Sequence, residues 1–236
     1  MTRVPQLTPR LLAVARQVPA GAKLADVGTD HAHLPVSLLR QGRVSQAIAS
    51  DLRESPLERG RTVARVHGVE NKISFRLCSG LSGVQPGEVD TVVIAGMGGD
   101  TITAILEEAP WLRANRVRLL LQPMSSLPEL RVWLQSHGYA ISREEVVAEG
   151  RRFYVVMTVE AGSMSPLTPG EAYAGRQTSE SVSGPRGAYI ADLLRRRRHA
   201  LAGRTQGGFS SDVQEQEEAL LAELEQMQKE WESWQR

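Results

Sequence analysis

The stretch LADVGTDHAHLP, residues 24–35, decides the fold class of this chain. A short apolar run ends at Gly28, and a sequence able to form a helix follows, which is the pattern of a strand, a tight turn and a helix start. A dinucleotide-binding turn would carry a second glycine where Asp30 stands, so that the backbone can approach a pyrophosphate. Asp26 and Asp30 instead place a carboxylate on either side of Gly28, and carboxylates repel phosphate. The turn therefore predicts a ligand without phosphate.

Strand and helix signals alternate around this turn. The predicted strands cover residues 23–28, 44–50, 72–78, 90–95 and 116–121. The predicted helices cover a segment that starts after Thr8, then residues 33–41, 55–67, 100–108 and 127–137. This alternation predicts an α/β fold with a mostly parallel sheet covered on both faces. Two further strand signals, 139–147 and 152–160, predict a final antiparallel hairpin, which is the shape of class I (Rossmann-like) methyltransferases.

The composition changes after the predicted sheet. Residues 161–186 are rich in Gly, Ser and Pro and predict a linker or an irregular docking segment. Beyond it, residues at heptad spacing predict an antiparallel helical hairpin, a short coiled coil interrupted between Gly203 and Gly208. The first helix carries Ile190, Leu194, Arg197 and Leu201, and the second carries Glu217, Leu220, Leu224, Met227, Trp231 and Trp234.

Charge supports the pairing of these two helices. Six arginines and one aspartate give residues 186–206 a net charge of +5, whereas two basic and eight acidic residues give 207–236 a net charge of −6. Opposite charges of this size favour an antiparallel pair over a generic tail. We therefore expect a methyltransferase domain at 1–160, a linker at 161–186 and a helical coiled-coil domain at 187–236.

Length, net charge and cysteine content restrict the possible functions less than these patterns do. The chain has 236 residues and a formal net charge of +1, so no overall field demands a nucleic acid partner. A single cysteine, Cys78, excludes a disulfide framework and the usual zinc cluster, and it fits a reducing, cytoplasmic setting. Prolines and arginines interrupt the first apolar segment, which argues against a signal peptide or membrane span. We expect no metal, because His31 and His33 lack a third ligand at useful spacing.

The ends of the predicted strands indicate the cofactor. S-adenosylmethionine carries a sulfonium and an ammonium group and no phosphate, so a turn flanked by carboxylates suits it. Asp51 ends the next strand, where an acidic side chain can accept hydrogen bonds from both ribose hydroxyls. Ser79 and Gly80 follow the third strand, where the adenine of the cofactor would lie, and Gly96-Met97-Gly98-Gly99 follows the fourth. All these ends meet at one sheet edge, where open α/β sheets bind ligands.

Several motifs together resemble the TrmK-type bacterial tRNA (adenine-N1)-methyltransferases over nearly the whole chain. They are ADVGTDHAHLP, AIASD, VVIAGMGGDTITAIL, LLLQP and LRVWLQSHGYAI. The resemblance implies methylation of N1 of adenine 22 in the tRNA D-arm by a Rossmann-like domain, with a coiled-coil domain that helps to grip tRNA. It also implies that the cofactor is framed by Asp26, Gly28, Asp30, His31, Asp51, Gly80 and the backbone of Gly96, Met97 and Gly98.

This chain departs from the pattern of that family at three positions. Ser79, Met124 and Val155 stand where family members commonly carry Asp, Asn and Glu. Serine is only a partial substitute for the aspartate that bonds the cofactor adenine, and Met124 removes a polar group beside the site. Ser79 and Met124 therefore keep open the alternative of a tRNA-binding homologue with weak or lost methyl transfer.

The chemistry demands little of the protein beyond placement. Adenine N1 has an in-plane lone pair, so it needs no strong base, and alignment of the reactants contributes roughly 7–11 kcal/mol. We expect Asp30 to stabilise the positive charge that develops on the base and Gln122 to accept from its exocyclic amine. N1 is a Watson–Crick atom, so the target base must be unpaired or extruded. We expect tRNA phosphates to contact four consecutive arginines, Arg195, Arg196, Arg197 and Arg198.

Two other enzyme classes fit less well. An N6-adenine methyltransferase needs an (Asp/Asn)-Pro-Pro-aromatic turn at the strand end where this chain has Gly96-Met97-Gly98-Gly99. An NAD-dependent enzyme needs the second glycine that Asp30 replaces. The sequence implies tRNA as the macromolecular partner, and it implies neither a protein partner nor a membrane.

Overall fold

The computed structural model describes residues 5–178, 184–204 and 211–235. The chain divides into two compact units, Met1–Met164 and Ser165–Arg236. The first unit is built around a sheet, and the described part of the second is helical.

The described residues of the first unit form one seven-stranded sheet in the order β3-β2-β1-β4-β5-β7-β6. Its strands are β1 (Ala22–Val27), β2 (Val44–Asp51), β3 (Ile73–Leu77), β4 (Thr91–Met97), β5 (Arg118–Pro123), β6 (Tyr139–Glu149) and β7 (Arg152–Ala161). The first five pair in parallel, and β7 runs antiparallel to both of its neighbours. The predicted α/β class I methyltransferase sheet with a final antiparallel hairpin is confirmed.

The helices of this unit alternate with the strands as the sequence predicts. They are α1 (Pro9–Gln17), α2 (His33–Arg40), α3 (Glu54–Val66), α4 (Gly99–Glu107), α5 (Trp111–Ala114) and α6 (Leu127–Ser136). The sequence analysis missed α5 and a 3-10 turn at Glu70–Lys72 because each covers a single turn, which is too short to show a helical period.

Both faces of the sheet are covered. Leu119, Leu120 and Leu121 follow one another in β5, point to alternate faces and are all fully buried. One face packs on α1 and α2 through a core that includes Val14, Leu38 and the strand residue Leu24. This packing holds the strands rigidly, so the residues that follow their carboxyl ends have defined positions.

The second unit contains α7 (Pro169–Ala174), α8 (Arg186–Arg204) and α9 (Ser211–Trp234). Helices α8 and α9 pack antiparallel, since Gly187 lies against Trp231 and Arg198 pairs with Glu225. Their shared core is formed by residues that the heptad spacing predicts, with Ile190 and Leu224 fully buried, and by Ala174 of α7.

Two details of this region differ from the sequence prediction. The predicted linker 161–186 contains α7, which starts with a capping box between Thr168 and Glu171 and packs on α9 through the Gly170 N–H and Glu223. Helix α8 continues through Gly203 to Arg204, and the rest of the predicted interruption lies outside the described residues. No described helix is both long enough and apolar enough to cross a lipid bilayer.

Candidate active site

The carboxyl ends of the parallel strands meet at one edge of the sheet, here called the ligand edge. It carries the residues that follow Val27 of β1, Leu77 of β3 and Met97 of β4, together with Asp51 of β2 and Gln122 of β5. The strand order reverses between β1 and β4, because the chain adds β2 and β3 on one side and β4 and β5 on the other. Open α/β sheets bind ligands in the crevice at such a reversal.

The Met97 side chain lies against Gly28 at this reversal. Gly28 has a φ of +70°, a conformation that L side chains rarely adopt, and a Cβ there would lie 2.1 Å from the Met97 Cε methyl. The positive φ favours glycine at this position, whereas the Met97 methyl is the flexible end of a side chain and can shift. The structure therefore brings together two residues that the sequence analysis assigned to the cofactor site.

Asp26 lies beneath the turn. It is 7% exposed, and its Oδ2 accepts a hydrogen bond of 2.6 Å from the Thr29 hydroxyl. Burial raises the pKa of the Asp26 carboxyl to about 6, although the Thr29 hydrogen bond acts in the opposite direction. Asp26 thus holds the Gly28 turn in shape. Thr29 was missed by the sequence analysis, although its position three residues after Asp26 is a signal for such a bond.

Asp30 has the opposite environment. Its side chain is 78% exposed, and its Oδ1 lies 3.4 Å from His31 Nε2 and 3.5 Å from Arg59 Nη2. His31 and Ala32 both have left-handed backbone conformations, with φ of 59° and 53°. This strained pair turns the chain from the Gly28 loop into α2, and such strain in non-glycine residues is concentrated at functional sites.

Asp51 closes the next strand with one carboxylate oxygen available. Its Oδ1 accepts from the Arg53 backbone N–H at 2.9 Å, while Oδ2 has no hydrogen-bond partner among the described residues. The neighbouring Ser50 hydroxyl donates to the Gly80 carbonyl at 3.1 Å and ties β2 to the loop after β3. Ser79, in that same loop, is exposed.

The glycine run after β4 leads into α4. Gly96 is exposed, and Gly98 caps the helix. The Gly99 N–H donates to the Ser125 carbonyl at 3.0 Å, which fixes the start of α4 against the loop after β5. Gly99 therefore has a packing role, whereas Gly96 and Gly98 border the crevice.

Gln122 near the end of β5 is fully buried and only half satisfied. Its Nε2 donates to the Pro123 carbonyl at 3.0 Å and lies 3.5 Å from the Met124 sulfur, whereas its Oε1 has no hydrogen-bond partner among the described residues. A buried polar atom without a partner is unfavourable by about 1–3 kcal/mol. The orphaned oxygen points to a missing donor, as expected at a substrate site.

Arg10, Glu149 and Tyr154 lie near Gln122, although the sequence did not indicate them. The Arg10 guanidinium donates to the Met124 sulfur at 3.4 Å and lies 5.2 Å from the centre of the Tyr154 ring. Glu149 accepts from the Arg10 backbone N–H at 3.1 Å. Arg10 is more than a hundred residues from these partners in sequence, so no local pattern could indicate the contact. Val155, where the family commonly carries Glu, is buried.

The four arginines predicted to contact tRNA all lie near carboxylates of the helical unit. Arg195 and Arg196 both pair with Asp192, and Arg198 pairs with Glu225 of α9 at 2.6 Å. Arg197 turns into the hairpin, where it pairs with Glu217 and donates to the Tyr173 hydroxyl. The side chains of the other three remain more than half exposed.

The residues at the ligand edge fit S-adenosylmethionine. Gly28 presents no side chain and is covered only by the flexible Met97 methyl, Asp51 Oδ2 can accept from ribose hydroxyls, and Asp30 adds an exposed carboxylate. Asp30, and not an arginine or lysine that could bind phosphate, stands where a dinucleotide turn carries its phosphate-binding glycine. Among the described residues, no group of three histidine, cysteine or acidic side chains could hold a metal ion.

Comparison with known proteins gives consistent results. The family described as "Methyltransferase domain" matches residues 7–157. A tRNA (adenine(22)-N(1))-methyltransferase of Bacillus subtilis is 36% identical over 157 residues, which span 66% of this chain and 66% of that relative. The curated relative is thus matched over slightly less than two thirds of its length.

Solved structures match over nearly their full length. A Streptococcus pneumoniae protein provisionally described as a tRNA (m1A22) methyltransferase, in complex with S-adenosyl-L-methionine, is 34% identical with a TM-score of 0.81, covering 93% of this chain and 99% of that one. The B. subtilis m1A22 tRNA methyltransferase TrmK is 28% identical with a TM-score of 0.78, covering 98% of this chain and 99% of that one. The chain therefore belongs to the methyltransferase-domain family and, within it, to the TrmK-type tRNA (adenine(22)-N1)-methyltransferases.

Proposed function

We propose that this protein is an S-adenosylmethionine-dependent methyltransferase that modifies N1 of adenine 22 in tRNA. The observation that carries the proposal is the likeness, over 93% of this chain, to a relative bound to S-adenosyl-L-methionine. The geometry of the ligand edge supports it, because Gly28, Asp51 and Gln122 there present a close backbone, a free carboxylate oxygen and an orphaned amide oxygen.

The residues at the carboxyl ends of β1 and β2 bind the cofactor. When bound, S-adenosylmethionine supplies an electrophilic methyl group on a positively charged sulfur. Asp51 accepts from the ribose hydroxyls, and the Gly28 turn, braced by Asp26 and Thr29, admits the cofactor close to the backbone. The exposed Asp30 carboxylate favours a cationic ligand and the cationic product base.

Gln122 orients the target base. Its orphaned Oε1 accepts a hydrogen bond from the exocyclic amine of adenine, which directs the neighbouring N1 into the crevice. No general base is needed, because N1 attacks with an in-plane lone pair. The Met124 side chain lies over the Gln122 amide and is 42% exposed, so it is free to move aside when the extruded base enters.

The helical unit extends the contact with tRNA. Three arginines of α8 carry this part of the proposal, Arg195, Arg196 and Arg198, because their side chains are exposed. Their ion pairs with Asp192 and Glu225 are surface pairs worth about 0–1 kcal/mol, so phosphates can replace these partners. Arg197 contributes by holding α8 against Glu217 and Tyr173. A tRNA substrate also supports a cytoplasmic location for the protein.

The proposal is tested by methyl transfer with two transcripts. Purified full-length protein is incubated with labelled S-adenosylmethionine and with unmodified tRNA that carries either adenine or guanine at position 22, and the digested nucleosides are identified by mass spectrometry. We expect 1-methyladenosine only from the transcript with adenine 22. Label on N6 would instead identify an N6-adenine methyltransferase. Tight binding of both transcripts without label would identify a tRNA-binding homologue.

A further inference from the structure

The turn between β6 and β7 projects at the ligand edge. Glu149 and Arg152 are the last backbone partners in the strand register, so Gly150 and Arg151 make a two-residue turn. Gly150 has a φ of +61° and Arg151 does not have a positive φ, which is the pattern of a type II′ turn. Such a turn matches the twist of its strands and holds both arginines on a well-defined backbone.

The register of the sheet places this turn next to the substrate side of the site. Leu121 of β5 pairs with Met157 of the antiparallel β7, so the continued register sets Val155 opposite Pro123. Arg152 precedes Val155 by three residues at the start of β7. It therefore lies about 10 Å beyond the end of β5 at the usual rise of a strand. The turn therefore projects past Gln122 and Met124, on the side that is expected to receive the target base.

The positive charge of the turn is not neutralised within the described chain. Glu149, the nearest carboxylate in sequence, already binds the Arg10 backbone N–H at 3.1 Å and lies 4.0 Å from Arg10 Nε. By contrast, Arg151 and Arg152 are both exposed, and neither has a carboxylate within 4 Å among the residues the structure describes. Other arginines of this edge do have one, since Arg59 pairs with Asp30 and Arg53 with Asp51.

We propose that Arg151 and Arg152 bind tRNA backbone phosphates next to the nucleotide whose base reaches Gln122. Guanidinium groups match phosphate oxygens in planar, two-pronged hydrogen bonds, and two of them on a fixed turn lose little freedom on binding. Phosphate contacts position a nucleic acid without reading its sequence. The turn thus sets the register of the RNA strand over the crevice. This inference rests on the proposed function, because it takes tRNA as the substrate.

The test compares two double variants of the full-length protein. R151Q/R152Q removes the charge of the turn, and R40Q/R65Q removes two exposed arginines from the carboxyl ends of α2 and α3, at the opposite edge of the sheet. The dissociation constant for unmodified tRNA is measured across a salt series. We expect R151Q/R152Q to weaken binding about tenfold and to lower the salt slope by about 1.4–1.8, because two phosphate contacts are lost. R40Q/R65Q should bind like the wild type.

Three further readouts make the test decisive. The loss should be equal for transcripts with adenine or guanine at position 22, since the contact carries no sequence information. Affinity for S-adenosylmethionine should be unchanged. R151K/R152K should restore the salt slope but only part of the tRNA affinity, because lysine keeps the charge and lacks the two-pronged geometry. Unchanged tRNA affinity and salt slope in R151Q/R152Q, or no recovery in R151K/R152K, would overturn the inference alone. Absence of tRNA binding by the wild type would overturn the proposed function as well.

Discussion

Two carboxylates flank Gly28 in the sequence, and the fold gives them different tasks. Asp26 is buried under the turn and bonded to Thr29, whereas Asp30 is exposed at the mouth of the crevice. The spacing of the two aspartates made both visible in the sequence. Only the structure separates them, because burial depends on α2 and on the neighbouring strands, which local sequence does not encode.

The buried Asp26 predicts an unusual pH dependence of stability. Because burial raises its pKa from 3.8 to about 6, the native state binds this proton more tightly than the unfolded state does. Its contribution to the free energy of unfolding is therefore fully present below about pH 4 and is lost as the pH rises through about 6. The loss is about 3 kcal/mol. Chemical denaturation of Asp26→Asn between pH 4 and 8 should lack this decline.

Asp30→Asn is the matched control, since it makes the same chemical change at an exposed position. It should leave the decline between pH 4 and 6 as in the wild type. An Asp26→Asn profile that superimposes on that of the wild type would show that Asp26 does not titrate in this range.

Gln122 should be dispensable for folding but not for methyl transfer. Gln122→Leu removes the orphaned Oε1 together with the Nε2 hydrogen bond to Pro123, so we expect the free energy of unfolding to change by less than about 1 kcal/mol. Methyl transfer to tRNA should fall about 100-fold, because the adenine amine loses its acceptor and the reacting atoms are misaligned. Gln41→Leu, at the exposed end of α2, is the control. Wild-type turnover in Gln122→Leu would exclude the assigned role.

The helices and strands differ in how clearly the sequence indicates them, and burial is the main cause. The β-strands buried on both faces are continuous apolar runs, such as Leu119 to Leu121, and their predicted bounds lie within about two residues of those observed. Helix α7 was hidden in a segment rich in Gly, Ser and Pro, although the Thr168 and Glu171 capping box is a local signal for it. The contact of Arg10 with Met124 joins distant segments and had no such signal.

The stability of the helical hairpin depends on the buried side chains between α8 and α9. Leu224 of α9 is fully buried between α8 and α7, so Leu224→Ala should lower the free energy of unfolding of this unit by about 2–5 kcal/mol. Leu52→Ala is the matched control, because Leu52 is 71% exposed and the same truncation there removes little buried surface. Thermal denaturation followed by helical circular dichroism would compare the two. Equal stability of both variants would exclude a packed α8–α9 core.

For the chain as a whole, the choice of cofactor follows from the charge of the ligand edge. The ligand edge combines a glycine turn with carboxylates at Asp30 and Asp51, which suits a cationic, phosphate-free ligand. The most direct measurement is calorimetric titration of the full-length protein with S-adenosylmethionine and, separately, with NAD at equal concentrations. We expect saturable heat with S-adenosylmethionine, weaker binding of it by Asp51→Asn, and no saturable heat with NAD. Saturable binding of NAD without binding of S-adenosylmethionine would contradict this choice of cofactor.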